Sequence, residues 1–184
     1  MRVIEKTIYQ FDELTDAAKE KAREWFRGGI ADDNWWSESV IDDAKRIGAL
    51  IGFEVDEIYW RGFWSQGDGA CWAGSVTYST DCAAAVAREC PQDSEIQRIA
   101  RAWLDLQRQN SNQVRGRVSA NSRYMRTSVS AYCDGDEANQ IVSDFADWIY
   151  RALESEYDYQ MSDGSVDETI RANEYEFDEN GELA

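Results

Sequence analysis

An α+β fold is what this 184-residue sequence predicts: a single domain with a mainly antiparallel sheet of about four to six strands, packed with about three to five helices. Three observations carry that expectation. Strand-like segments come in adjacent pairs joined by short turn-forming runs, the mark of hairpins and so of antiparallel pairing. Helical periodicity is confined to separate stretches between those pairs. Eight Trp, nine Tyr and six Phe against one proline, Pro91, supply a large core and argue against a disordered chain.

Taken in order, Arg2 to Tyr9 alternates Val3 and Ile8 with polar residues and reads as a first strand. A helix follows with Thr15 as N-cap and Leu14, Ala18, Ala22, Trp25 and Phe26 as its apolar stripe, expected to end at Gly28-Gly29. Trp36, Val40, Ala44, Ile47 and Ile51 recur at helical spacing and predict a second helix from about Trp35 to Ile51, stopped by Gly52. The most ordered-looking stretch comes next, Tyr59 to Tyr78. Its Ser65-Gln66-Gly67-Asp68-Gly69 run supplies a tight turn between two aromatic strands, with Gly62 and Gly74 marking bulges or close backbone approaches. Both faces of Phe53 to Trp64 are apolar, which predicts a central strand with Trp60, Trp64 and Trp72 in the core.

Beyond this hairpin, Asp81 to Glu89 predicts a short helix closed by Pro91. Asp93 or Ser94 caps the next, whose face is Ile96, Ile99, Ala100, Trp103 and Leu104 and which fades at the polar run from Gln107. Val114 to Ala120 and Met125 to Ala131 alternate about Asn121-Ser122 and form a second hairpin. The longest helix is expected from Asp136 to about Tyr157, and Ile170 to Phe177 as an edge strand before an Asp178–Gly181 turn.

The net charge is −17. A surface this negative repels nucleic acid and anionic membranes, so the expected partner is a basic protein rather than nucleic acid itself. The acidity is uneven. Residues 151–184 hold eleven Asp and Glu against Arg151 and Arg171, whereas between residues 98 and 126 seven arginines face only Asp105. Those arginines either pair with carboxylates across the fold or contact phosphate. No segment approaches the roughly eighteen apolar residues of a membrane span and no signal-like start is present, so a soluble cytoplasmic protein is expected. Cys71, Cys82, Cys90 and Cys133 lack Cys-x-x-Cys spacing and read as free thiols.

Chemistry is constrained as much by what is missing. The chain has no histidine, which removes the commonest general base, Ser-His and Cys-His nucleophile pairs and histidine metal ligands. No phosphate-binding loop or dinucleotide fingerprint occurs. Asp32-Asp33 and Asp42-Asp43 read as solvated helix faces, and Asp134-Gly135-Asp136-Glu137 as a turn leading into a helix rather than a calcium loop. The expectation is therefore a non-enzyme without catalytic residues, metal or cofactor.

Several strings resemble a family of small acidic proteins encoded by bacteriophages and prophages: Phe11-Asp12-Glu13-Leu14-Thr15-Asp16-Ala17-Ala18-Lys19, Trp35-Trp36, Asp43-Ala44-Lys45, Gly62-Phe63-Trp64-Ser65-Gln66-Gly67-Asp68-Gly69-Ala70-Cys71 and Ala172-Asn173-Glu174-Tyr175-Glu176-Phe177. Some members of that family are labelled antitoxins. The resemblance implies a phage setting, in which small acidic proteins block host defence complexes.

Together these readings predict an inhibitor of anti-CRISPR or anti-restriction type that offers carboxylates to a basic nucleic-acid channel. The predicted contact residues are Glu154, Glu156, Asp158, Asp163, Asp167, Glu168, Glu174, Glu176, Asp178 and Glu179. One alternative is an antitoxin that neutralises a basic toxin. Another is a nucleotide-like ligand site or enzyme at the turn, built from Trp64, Ser65, Gln66, Asp68 and Trp72. The sequence leaves homodimerisation open.

Overall fold

A computed structural model describes residues 6–111, 113–131 and 135–184. In chain order its elements begin with β1 (Tyr9–Gln10), a 3-10 turn (Phe11–Glu13), α1 (Asp16–Asp32), α2 (Ser37–Ile51), β2 (Phe53–Arg61) and β3 (Gly69–Val76). They continue with α3 (Cys82–Glu89), α4 (Ser94–Gln109), β4 (Gly116–Asn121), β5 (Arg126–Ala131), α5 (Gly135–Met161), α6 (Asp163–Ala172) and β6 (Glu176–Phe177). The fold is α+β, with one four-stranded and one two-stranded antiparallel sheet. The chain divides into two compact units, Met1–Glu38 with Ser155–Ala184 (unit 1) and Ser39–Glu154 (unit 2).

Unit 2 carries the larger sheet, in the order β2-β3-β4-β5. The two hairpins read from sequence are both present, but β2 lies at the edge and β3 inside. Tyr59 of β2 is 39% exposed, so the aromatic residues on both faces of this strand do not mark burial on both faces. The register of β2 on β3 slips between Val55 and Glu57, opposite Gly74. A Cβ at Gly74 would lie 1.9 Å from the Glu54 carbonyl oxygen, so only glycine lets the bulged strand come this close.

Behind the sheet stands an aromatic cluster. Phe53 stacks on Trp72 at 5.4 Å and meets Trp103 and Phe145 edge-on at 4.9 and 5.3 Å, and all four side chains are fully buried. Trp72 Nε1 donates to the Val142 carbonyl at 3.0 Å, tying β3 to α5. Helix α4 begins where Asp93 accepts from the backbone N–H groups of Glu95 and Ile96. It runs past the expected end at Gln107. That residue is fully buried, and its amide accepts from Ser79 N at 2.7 Å and donates to the Trp103 carbonyl at 3.2 Å, so a polar side chain is satisfied in the core.

Unit 1 departs further from the expectation. Residues Lys6–Ile8 are not paired in a sheet, and only Tyr9 and Gln10 form β1, against Phe177 and Glu176. The expected strand's residues 2–5 lie outside the described residues, as do Cys133 and Asp134. Helix α1 continues through Gly28-Gly29 to Asp32, because Ile30, 2% exposed, anchors the last turn and outweighs a glycine cost of about 1 kcal/mol each. Most of the expected edge strand from Ile170 is instead helical. Ser162 accepts from Ser165 N as an N-cap, and the buried Val166 and Ile170, four residues apart, form one face of α6. Only Glu176 and Phe177 of that strand pair.

Candidate functional site

Acidity is concentrated in unit 1, which holds seven Lys and Arg against nineteen Asp and Glu, a net of −12 over 68 residues. Unit 2 holds twelve against seventeen, a net of −5 over 116 residues. Folding thus gathers the N-terminal and C-terminal segments, far apart in sequence, into one strongly negative body. The local order behind it is built from caps and pairs: Thr15 caps α1 by accepting from Ala18 N at 3.3 Å, and Ser162 caps α6.

The predicted contact carboxylates separate into two groups. Glu168, Glu174, Glu176 and Glu179 on α6 and the following segment, with Asp158 on α5, are exposed and make no ion pair among the described residues. These five are free to meet a cationic partner. Four of the others, Asp167, Asp163, Asp178 and Glu156, are engaged in contacts within the protein. Arg23 grips Asp167 with Nε and Nη2 on its two carboxylate oxygens, at 2.7 and 2.9 Å, and this fork fastens α6 to α1. The guanidinium holds the Asp167 carboxyl below the usual carboxylate range, while the pair raises the already high pKa of Arg23. Asp163 pairs with Arg27, whose Nε also donates to the Met161 carbonyl at 3.1 Å. Asp178 accepts from Asn180 N and Glu182 N at 2.9 and 3.0 Å, which closes the predicted C-terminal turn and lowers its carboxyl pKa. Glu156 accepts from Gln160 at 2.8 Å, and Glu154 lies half-buried in unit 2. For Asp163 and Asp167 the sequence does not reveal the structural role, because their partners Arg27 and Arg23 lie more than 130 residues away.

The turn of the first hairpin is organised by its own Asp68. Asp68 Oδ2 accepts from the backbone N–H groups of Trp64 and Ser65 at 3.0 and 2.6 Å, so its carboxylate organises the loop. Gly62, at φ +49°, lies against that carboxylate, and a Cβ there would come 2.5 Å from Oδ2. Trp72 is fully buried, whereas Trp64 is 75% exposed, which corrects its assignment to the core. Ser65 and Gln66 are exposed. Of the five residues, Trp64, Ser65 and Gln66 are exposed on the hairpin, Asp68 is bonded to the loop backbone and Trp72 is fully buried.

Of the seven arginines between residues 98 and 126, three pair with carboxylates: Arg98 with Asp144 at 2.7 Å, Arg108 with Asp105 at 3.5 Å and Arg117 with Asp56 at 3.8 Å. Arg101 donates to Gln97, and Arg123 stands over the Tyr124 ring at 5.5 Å. Arg115 and Arg126 are exposed without a carboxylate among the described residues. Cys71 and Cys82 are buried free thiols and Cys90 is a half-buried one, and burial raises the pKa of all three, which makes them poor nucleophiles at neutral pH. Among the described residues no group of three His, Cys, Asp or Glu side chains is arranged to hold a metal, and no helix is long and apolar enough to cross a membrane.

The structure thus defines an α+β protein whose unit 1 carries most of the net negative charge. The chain belongs to the family DUF8835, a domain of unknown function, which matches residues 36–163. That span contains all of unit 2 and ends at Asp163, the first residue of α6. No curated protein and no solved structure matches the chain.

Proposed function

We propose that this protein is a phage-encoded, non-enzymatic inhibitor of a host defence system, of anti-CRISPR or anti-restriction type, whose acidic unit occupies a basic nucleic-acid-binding surface. The observation that carries the reading is the gathering of −12 of the total −17 charge into unit 1, with Asp158, Glu168, Glu174, Glu176 and Glu179 exposed there and unpaired among the described residues. Defence nucleases hold nucleic acid in grooves lined with Arg and Lys. A folded body of this charge is steered toward such a groove and competes with phosphate for the same cations. The phage setting comes from the sequence strings that resemble phage and prophage proteins.

The test is a plating assay. Bacteria carrying a restriction or CRISPR system are challenged with a targeted phage while expressing this chain or the quadruple variant Glu168→Lys, Glu174→Lys, Glu176→Lys, Glu179→Lys. Restored plating with the wild type, lost in the variant, is expected. Unchanged plating across restriction and CRISPR hosts, with growth rescued instead when a basic toxin is co-expressed, would move the assignment to the antitoxin reading.

A further inference from the structure

We propose that a cleft in unit 1, walled by Trp25, Phe26, Trp35 and Tyr175 with Asp33 at its rim, is a receptor for a single cationic side chain, an arginine or lysine of a basic protein partner. This inference rests on the reading of unit 1 as a surface for basic proteins and adds the anchor point. The cleft measures about 280 Å³. That lies just below the roughly 300–1,000 Å³ of drug-sized ligand sites and accommodates one long side chain.

Its walls have the chemistry a cation requires. Tyr175 meets Trp25 edge-on at 5.2 Å and Phe26 at 6.2 Å, so the three rings brace one another, and Ile30 and Gly29 complete the lining. Trp25 and Trp35 are 39% and 49% exposed, leaving indole surface open to a visitor. Ring faces attract a cation through their quadrupole, and a carboxylate beside them adds direct charge. Arginine gains most, since its planar guanidinium stacks on indole and forks onto carboxylate. Charge complementarity selects the occupant, because the cleft lies in the unit with net charge −12.

Gly29 provides a clean test. Gly29 lines the cleft and a Cβ built there meets nothing within 4 Å, so Gly29→Leu adds an apolar side chain at the cleft wall without a clash at Cβ and without changing the charge. The full-length ¹⁵N-labelled protein is titrated with a nona-arginine peptide at about 0.15 M salt, following the tryptophan indole N–H resonances, assigned through Trp25→Phe and Trp35→Phe. The proposal requires shifts at Trp25 and Trp35 with little change at buried Trp72 and Trp103, and binding weakened about ten-fold by Gly29→Leu and by Asp33→Asn with no fall in unfolding temperature. Equal affinity for wild type and Gly29→Leu, with the indoles of Trp25 and Trp35 unmoved, overturns the cleft while leaving the acidic surface standing. Absence of peptide binding to the wild type also overturns it. Equal shifts from free tetramethylammonium at the same concentration would assign the cleft to small quaternary cations instead. The titration needs no phage and no host, so a failed plating assay with intact peptide binding would refute the function and keep the cleft.

Discussion

Replacing Asp167 by Asn tests whether this carboxylate belongs to the fold or to the partner surface. Arg23 and Asp167 are only 19% and 16% exposed at their side chains, and the contact is bidentate. Exposed pairs contribute about 0–1 kcal/mol, and removing one partner of a fully buried pair costs about 3–5 kcal/mol. A pair this sheltered falls between, so Asp167→Asn is expected to cost about 2 kcal/mol in urea unfolding at pH 7. A double-mutant cycle with Arg23→Met isolates the coupling, since Arg23 also bonds Glu20 at 3.1 Å and stands over the Phe11 ring at 5.8 Å. The pH dependence supplies a second readout. Because the folded state holds the Asp167 carboxyl below its usual range, its stabilisation is complete above about pH 4 and is lost as the pH falls through the lowered value. Asp167→Asn should flatten that acid limb. A coupling under about 0.5 kcal/mol together with an unchanged acid limb would refute the structural role. Intact stability with lost inhibition would place Asp167 in the partner interface.

The remaining predictions concern unit 2. Trp72→Ala should destabilise by about 3–5 kcal/mol in thermal or urea unfolding, while Trp64→Ala, at a residue 75% exposed, should stay within about 0.5 kcal/mol. Trp72→Phe should cost about 1 kcal/mol more than Trp103→Phe, because Trp72 Nε1 donates to the Val142 carbonyl whereas the buried Trp103 Nε1 has no hydrogen-bond partner among the described residues. Gly74→Ala should open the β2–β3 bulge and cost more than 2 kcal/mol, seen also as faster hydrogen exchange along β2. Asp68→Asn should loosen the hairpin loop, detected as changed exchange at the Trp64 and Ser65 amides, with the unfolding midpoint little altered.

The parts of the fold legible in the sequence are those whose signal is local. The Asp93 cap, the Asn121-Ser122 turn, the Gly74 close approach and the repeat from Val40 to Ile51 each lie within one element or one hairpin, and the structure places them as read, although α2 starts at Ser37, just after Trp36. Misreadings arise where distant contacts override local pattern. Gly28-Gly29 stays helical because Ile30 is buried, and Ile170 joins a helix because Ser162 caps it and Val166 lies on the same face. Trp64 carries the composition of a core residue yet projects from a loop that Asp68 holds. At the candidate site, the acidity of the C-terminal segment was visible. Its division into available and engaged carboxylates was not, since for Asp163 and Asp167 that depends on Arg27 and Arg23 in α1. The aromatic cleft was hidden for a similar reason, because Tyr175 meets Trp25 and Phe26 only after folding.

Capture of a partner from bacterial lysate tests the central claim most directly. Tagged wild-type protein and the Glu168→Lys, Glu174→Lys, Glu176→Lys, Glu179→Lys variant are each incubated with host lysate treated with nuclease, and bound proteins are quantified by mass spectrometry. The account predicts a basic nucleic-acid-binding protein or complex on the wild type, lost by at least ten-fold from a variant whose unfolding temperature is nearly unchanged. Equal recovery of the same partner by both proteins would contradict it.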